Sequence, residues 1–207
     1  MVELYLIRHG KTHGNTLGRY IGTTDESLCR EGLEALKGGR YPQVEAVYVS
    51  PMKRCVETAR ELWPKEPMEV CDSFRECDFG DFENKNYREL SQNKDYQAWV
   101  DSGGTLPFPG GESQEAFRLR CREGFLYTLK RIRKAGFKRV AFVVHGGTIM
   151  SILEAYGVPK EEFYHWQAKN GQGFLTHWDE TDKGGIALYE TVSFCPDSGL
   201  FTGSDLR

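Results

Sequence analysis

Three continuous runs of aliphatic and β-branched residues constrain the fold most, and they lie at 2–8, 46–50 and 139–145. A strand with one solvated face alternates apolar and polar residues, whereas an unbroken apolar run is typical of a strand that is covered on both faces. Helix signals, a serine–proline pair and a pair of glycines, follow the second and third runs. This pattern predicts an α/β fold with a mainly parallel sheet.

Helical periodicity marks further elements along the chain. Ser50 is expected to cap the helix after the second run, with Pro51 in its first turn. Near the C-terminus, strands at 173–178 and 185–192 are expected to form an antiparallel hairpin. The other predicted helices are 30–36, 115–133 and 146–156, with short ones at 87–90 and 96–100.

The chain of 207 residues is long enough for one sizeable core, and we expect a single domain over 1–207. Between about 72 and 114 the composition shifts to glycine, proline, acidic and aromatic residues, which we interpret as a lid-like insertion covering the site at one edge of the sheet. The tail at 196–207 is polar and glycine-rich, so it is expected to be mobile. Either a small core or a substrate wall accounts for the insertion's aromatic residues, which are Phe74, Phe79, Phe82, Tyr87, Tyr96 and Trp99.

Composition excludes several function classes. The 27 basic and 30 acidic side chains give a formal net charge of −3, so no whole-molecule field favours nucleic acid or an anionic membrane. The chain enters a strand without a basic, apolar leader, and no apolar run approaches the roughly 18 residues of a membrane helix. Its six cysteines are scattered, as is typical of reduced thiols. We therefore expect a cytoplasmic protein without nucleic-acid or membrane partners.

Charged side chains follow the predicted strands. Arg8 and His9 end the first run, Arg54 lies one turn into the helix after the second, and His145 ends the third. The carboxyl ends of parallel strands meet at one edge of a sheet, so these side chains are expected to converge. Two arginines and the helix amides at Gly146 suit the oxygens of a phosphoryl group. Because nearby cations disfavour protonation of His9, its imidazole is the candidate nucleophile.

Phosphoryl transfer also needs an acid for the leaving oxygen. Glu76 lies between aromatic residues of the insertion, and a carboxyl near apolar rings is expected to have a raised pKa. Such a group can act first as general acid and then as base for an attacking water. Asp78 is the rival carboxylate, and the sequence leaves that choice open.

Four segments occur in a recognisable order, namely Arg8-His9-Gly10, Ser50 to Arg54, Glu76 ahead of Phe79-Gly80, and His145-Gly146. Together they resemble the histidine phosphatase superfamily, which includes the cofactor-dependent phosphoglycerate mutases. The resemblance covers nearly the whole chain and is more specific than any single motif. It implies a three-layer α/β/α sandwich with a mainly parallel sheet and an inserted lid-like subdomain.

The resemblance also implies roles for individual residues. It makes His9 the phosphohistidine and Glu76 the proton donor. No metal and no cofactor are implied. The phosphate pocket would comprise Arg8, Arg54 and His145, and the implied substrate-binding residues are Asn15, Gly22 and Gly146.

Three positions depart from the family pattern. Lys11 stands where an acidic or amide side chain is frequent, and it adds positive charge near the entrance. Ile21 replaces a hydroxyl residue that is usual before Gly22. Cys29 stands where a capping serine or threonine is expected before the next helix.

The insertion bears on the reaction. A mutase must clamp a carboxylate and two phosphates with basic residues, but residues 72–115 carry ten acidic and four basic side chains. The chain also lacks an adjacent arginine pair, and its Pro-Gly-Gly-Glu-Ser segment is similar to the branch that contains α-ribazole phosphatase. We therefore expect a phosphomonoesterase acting on a small phosphorylated metabolite, with α-ribazole phosphate as one candidate.

Two alternatives remain open at the level of sequence. One is a cofactor-dependent phosphoglycerate mutase, and the other is a noncatalytic sensor of a phosphorylated ligand on the same fold. Sugar phosphates, phosphoglycerates and nucleotides all stay open as substrates. The oligomeric state is equally open.

Overall fold

A computed structural model of the protein describes residues 1–180 and 186–196. The described residues form a mixed six-stranded sheet with the order β3-β2-β4-β1-β5-β6. The first four strands in this order run parallel, whereas β5 is antiparallel to β1 and β6 is antiparallel to β5. The strands are β1 (Val2–Arg8), β2 (Ala46–Val49), β3 (Met68–Val70), β4 (Arg139–Val144), β5 (Gly173–Glu180) and β6 (Ile186–Phe194).

Helices cover both faces of the sheet. One face packs mainly against α5 and α6, and the other packs against α3, which has α2 beside it. This arrangement confirms the α/β/α sandwich with a mainly parallel sheet. The helices are α1 (His13–Thr16), α2 (Arg30–Gly38), α3 (Lys53–Leu62), α4 (Lys94–Asp101), α5 (Gln114–Ala135) and α6 (Gly146–Tyr156).

Strand β1 shows why the apolar runs are continuous. Leu4 and Leu6 pack on the side of α5 and α6, whereas Tyr5 and Ile7 pack on the side of α3. Successive side chains of a strand point to opposite faces, so both faces need apolar residues when both are covered. Because both helical layers depend on β1, the chain directly after it is held in a fixed position.

Two local expectations were wrong. Helix α3 begins at Lys53 and not at the serine–proline pair, and Met52 at its start makes no side-chain cap. The Ser50 hydroxyl instead lies 2.8 Å from an imidazole nitrogen of His145. Residues 87–90 form turns and no helix. Cys29, by contrast, does cap α2, since its Sγ accepts from the amide of Gly32 at 3.4 Å.

The insertion has a small aromatic core. Phe82 is fully buried and its ring lies 5.3 Å from Tyr96 and 5.9 Å from Phe108, as measured between ring centroids. Phe74 belongs instead to the main core, and Tyr87 is 60% exposed. The small-core interpretation therefore fits most of these rings, although two of the six belong elsewhere.

Three expectations involve residues outside the described ranges, namely the extent of the domain, the tail and the hairpin connection. The single-domain assignment over 1–207 stays a prediction, and the predicted mobile tail lies outside the described residues from position 197 onwards. The predicted hairpin is present as β5 and β6, but its connection at 181–185 also lies outside them. Across the described ranges, we find no helix with the length and apolar character needed to cross a membrane.

Candidate active site

The parallel strands bring two histidines together at their carboxyl ends. Residues Arg8 and Val144 are partners in the β1–β4 register, so His9 and His145 follow side by side. Their ring centroids are 5.2 Å apart, with planes at 66°. Both rings are buried. The predicted convergence of these two side chains therefore follows from the sheet register alone.

His9 is oriented by its own neighbour in the chain. Its Nδ1 lies 2.7 Å from the carbonyl oxygen of Gly10. A carbonyl can only accept, so Nδ1 carries the hydrogen and Nε2 keeps its lone pair. Burial, with further contributions from Arg54 and Arg8, holds the pKa of His9 well below its usual value. The imidazole is therefore neutral at neutral pH, as a nucleophile requires.

Two guanidinium groups lie near enough to this imidazole to lower its pKa. Arg54 is fully buried, and its Nη atoms donate to the carbonyl oxygens of Thr24 at 2.9 Å, Gly22 at 2.9 Å and Ile21 at 3.2 Å. Arg8 donates from Nη1 to the carbonyl of residue 168 at 2.9 Å. Within the described ranges neither guanidinium forms a salt bridge, and both Nε atoms are buried without an acceptor. Buried guanidinium groups without a salt bridge favour an anionic ligand.

Glu76 lies against the second histidine. Its Oε2 is 4.0 Å from Nδ1 of His145, and its Oε1 accepts from the amide of Cys77 at 3.0 Å. Burial raises the pKa of Glu76, against the opposing effect of that amide and of nearby arginines. A Cβ on Gly147 would lie 2.9 Å from Oε1, so a glycine at the start of α6 lets the carboxyl approach. The rival Asp78 caps a turn, accepting from the Gly80 amide at 2.9 Å.

The implied substrate-binding residues differ in what they offer. Oδ1 of Asn15 accepts from the Thr12 amide at 3.2 Å and from Nδ2 of Asn170 at 3.1 Å, which leaves the Asn15 NH₂ group as a donor. Gly146 begins α6, where the first amides have no acceptor within the helix. A Cβ there would lie 3.7 Å from Nε of Arg8. The Gly146 amide therefore lies beside Arg8, and contact of either residue with substrate stays a prediction.

Gly22 has its polar groups engaged within the protein. Its carbonyl accepts from Arg54, and its amide donates to Oε2 of Glu83 at 3.2 Å. A Cβ on Gly22 would lie 1.9 Å from the carbonyl of Cys77, so only glycine fits. The structure thus gives Gly22 a part in holding Arg54, and direct contact with substrate stays a prediction.

Lys11 also differs from its expected effect. Its Nζ lies 2.6 Å from Oε1 of Glu31 on α2, which offsets the charge that was expected at the entrance. A cavity of about 610 Å³ adjoins this pair and the backbone around Arg8, and Tyr41 and Asn170 are among its lining residues. Neither Glu76 nor His145 lines it.

Sequence reasoning missed three residues that hold the site. Glu83 accepts from the amides of residues 22, 23, 24 and 79 and from the Thr24 hydroxyl, at 2.7 to 3.4 Å. Asn170 donates to Asn15 and to the carbonyl of His9. Ser50 contacts His145. One signal for Asn170 was available, because it lies three residues before β5, which begins at the same edge of the sheet.

A family model and named relatives match most of this sequence. The family model of the histidine phosphatase superfamily (branch 1) matches residues 4–188. Phosphoserine phosphatase 1 of Hydrogenobacter thermophilus is 28% identical over 190 residues, which are 87% of this chain and 88% of that protein. A 2,3-bisphosphoglycerate-dependent phosphoglycerate mutase of Rhizobium etli is 30% identical over 168 residues, which are 74% and 79% of the two chains.

Solved structures agree with the sequence relatives. The crystal structure of the alpha-ribazole phosphatase from Shigella flexneri superposes with a TM-score of 0.76 at 26% identity, and the match covers 97% of this chain and all of that chain. Since the family model spans most of the sequence, the protein belongs to the histidine phosphatase superfamily (branch 1).

Proposed function

We propose that this enzyme, a phosphoric monoester hydrolase, acts on a small phosphorylated metabolite through a phosphohistidine on His9. Nε2 of His9 attacks phosphorus while the ester P–O bond breaks, and the carboxyl of Glu76 gives its proton to the leaving oxygen. The Glu76 carboxylate then takes a proton from the water that attacks the phosphohistidine, which releases phosphate and restores both groups.

The observation that carries this proposal is the state of His9. An imidazole that donates from Nδ1 to Gly10 presents a lone pair on Nε2, and burial, with further contributions from Arg54 and Arg8, lowers its pKa and keeps it unprotonated. Glu76, whose pKa is raised by burial, can hold a proton that an exposed carboxyl would have lost. His9 therefore carries the protonation state that the first step needs, and burial shifts Glu76 toward the protonated form that an acid needs.

The other groups of the site would bind the transferred phosphoryl group. Arg8 and Arg54 supply the charge, and His145, Asn15 and the Gly146 amide supply further donors. Positioning and charge stabilisation are the main requirements of phosphoryl transfer, so preorganised donors of this kind account for most of the expected acceleration.

A small phosphorylated substrate is supported by the relatives. The names of the phosphoserine and alpha-ribazole phosphatases place small phosphate monoesters among the substrates of this superfamily. The excess of acidic residues in the insertion disfavours a bisphosphorylated acid. We keep phosphoserine and α-ribazole phosphate as the first compounds to test.

The test is release of phosphate from a panel of phosphate monoesters, with acid-labile phosphohistidine trapped by rapid quenching. His9→Ala should abolish both signals, and His13→Ala, at an exposed histidine of α1, should leave them intact. Undiminished turnover by His9→Ala would sink the mechanism. No release from any compound, together with no phosphohistidine, would favour a noncatalytic sensor.

A mutase is the second candidate, and the Rhizobium etli relative is the observation that favours it. The same panel, run on phosphoglycerates with and without 2,3-bisphosphoglycerate, separates the two activities. Isomerisation without net phosphate release identifies a mutase. Net release that 2,3-bisphosphoglycerate does not stimulate identifies a phosphatase.

A further inference from the structure

Ser50 and His145 form a hydrogen bond that the proposed mechanism does not use. Ser50 follows β2 and His145 follows the neighbouring strand β4, and Oγ of Ser50 lies 2.8 Å from Nε2 of His145. The Ser50 amide also donates to the carbonyl of Val143 at 3.1 Å, which holds the two strand ends in register. Both side chains are 0% exposed, so water does not compete for this bond.

The surroundings of Ser50 decide which partner donates. The amide of Met52 points at Oγ from 3.4 Å, and an amide can only donate. This contact occupies one of the two lone pairs of Oγ, and the buried hydroxyl hydrogen still needs an acceptor. Two acceptors compete for this hydrogen, Nε2 of His145 and the sulfur of Cys55, which lies 3.6 Å from Nε2 and 3.8 Å from Nδ1 of the same ring. A thiol sulfur is a weak acceptor, whereas the imidazole nitrogen is a strong one at 2.8 Å. The Ser50 hydroxyl is therefore the donor, and Nε2 of His145 accepts.

The direction of this bond sets what His145 presents to the site. A neutral imidazole that accepts at Nε2 carries its hydrogen on Nδ1. Nδ1 is the nitrogen that faces Glu76 at 4.0 Å. In the proposed mechanism the phosphoryl group lies between His9 and Glu76, so the opposite tautomer would direct a lone pair toward its oxygens and repel them. The hydrogen bond from Ser50 thus determines whether the His145 ring attracts or repels the phosphoryl oxygens.

We propose that Ser50 is a positioning residue that holds His145 in the neutral tautomer with its hydrogen on Nδ1, aimed at the phosphoryl group. The catalytic consequence rests on the proposed function, but the tautomer itself is a property of the resting enzyme. Burial keeps His145 neutral, since its pKa lies well below the usual value, so the ring cannot present hydrogens on both nitrogens.

The tautomer is measured directly by ¹⁵N NMR of the enzyme with labelled histidine rings, at about pH 8, where imidazoles are neutral. The spectrum of His145→Gln identifies the His145 signals among those of the five histidines. We expect a protonated Nδ1 and an unprotonated Nε2 in the wild type. A protonated Nε2 in the wild type would overturn the proposal, and this measurement needs neither a substrate nor a variant of Ser50.

Two variants at the same ring complete the test. Ser50→Ala should lose the fixed tautomer and lower the rate of phosphohistidine formation about 10-fold or more, the scale on which orienting partners of functional histidines act. Cys55→Ala, which removes the other neighbour, should keep the wild-type tautomer. An unchanged tautomer in Ser50→Ala, or a switched one only in Cys55→Ala, would refute the assignment. Failure of the substrate panel would instead count against the proposed function and leave the NMR result standing.

Discussion

His9 and His145 follow directly on β1 and β4, and every residue at 4–7 and 140–144 in these strands is buried. Glu76 follows a short 3-10 turn and the exposed Arg75, in an insertion with its own small core. The proposed nucleophile is therefore positioned directly by the main sheet, whereas the segment of the proposed acid is anchored to the main core through Phe74 and is otherwise held by polar contacts. Loss of packing should lower the fraction of folded enzyme, and loss of a polar contact should lower the rate of one chemical step.

Among changes that leave His9 in place, replacing the proposed acid should have the largest effect on turnover. Glu76→Gln keeps the shape of the side chain but removes the proton donor, so kcat on alkyl phosphates should fall about 10²- to 10⁴-fold. With p-nitrophenyl phosphate, whose leaving group needs no proton, the phosphohistidine should still form and then accumulate. Rapid-quench kinetics measure both steps. Asp78→Asn should stay near wild type, and a larger loss in Asp78→Asn than in Glu76→Gln would reassign the acid.

Two phenylalanines compare the main core with the insertion. Phe142 on β4 lies 5.4 to 5.8 Å from three other rings, and Phe142→Ala should lower the free energy of unfolding by about 3–5 kcal/mol with kcat per folded molecule unchanged. Phe82→Ala, in the insertion, should lower kcat on alkyl phosphates as well. Urea unfolding and kcat corrected for the folded fraction give both quantities. Equal effects on kcat would contradict the distinction between the two regions.

Arg120 on α5 makes polar contacts that position the segment before Glu76, the proposed acid. It donates to the carbonyls of Ser73 at 2.9 Å and Arg75 at 3.0 Å, and its Nη2 lies 2.7 Å from Glu112. Arg120→Met should release the segment before Glu76 and lower kcat on alkyl phosphates about 10-fold, because small displacements of a catalytic group are costly. Phosphohistidine formation from p-nitrophenyl phosphate should change little.

Arg118 supplies the matched control for that change. It lies on the same helix and pairs with Glu154 at 3.1 Å, and its side chain is 29% exposed, as is that of Arg120. Arg118→Met should lower stability by a similar amount, about 1 kcal/mol or less for a partly exposed pair, and leave kcat unchanged. Equal losses of kcat in both variants would show that Arg120 acts only through stability.

The division between positions set by the sheet and positions set by contacts of distant side chains also explains which parts of the site could be predicted from the sequence. The apolar runs determine the sheet and hence the meeting of His9 and His145, because strand periodicity and the parallel arrangement are local and general rules. Ser50 was assigned to a helix cap by such a local rule, but its hydroxyl is used by His145, 95 residues away. Contacts between distant side chains carry no periodic signal, so Glu83 could not be found in this way, and the only signal for Asn170 was its place shortly before the predicted strand at 173–178.

The smallest expected effect is on the free energy of unfolding, and it tests whether the insertion buries Glu76. Burial raises the pKa of Glu76 in the folded protein, so the folded state binds this proton more tightly than the unfolded chain does. That contribution to the free energy of unfolding is complete below about pH 4.3, the ordinary pKa of glutamate, and is lost as the pH rises through the raised pKa.

The stability of Glu76→Gln relative to wild type should therefore increase with pH across this window and then level off. His9 and His145, whose pKa values burial lowers, affect both proteins alike and cancel in the difference. Urea unfolding at a series of pH values measures this difference. A difference in stability that does not vary with pH would mean that the insertion leaves Glu76 open to water. An exposed carboxyl could not keep the proton that the leaving oxygen needs.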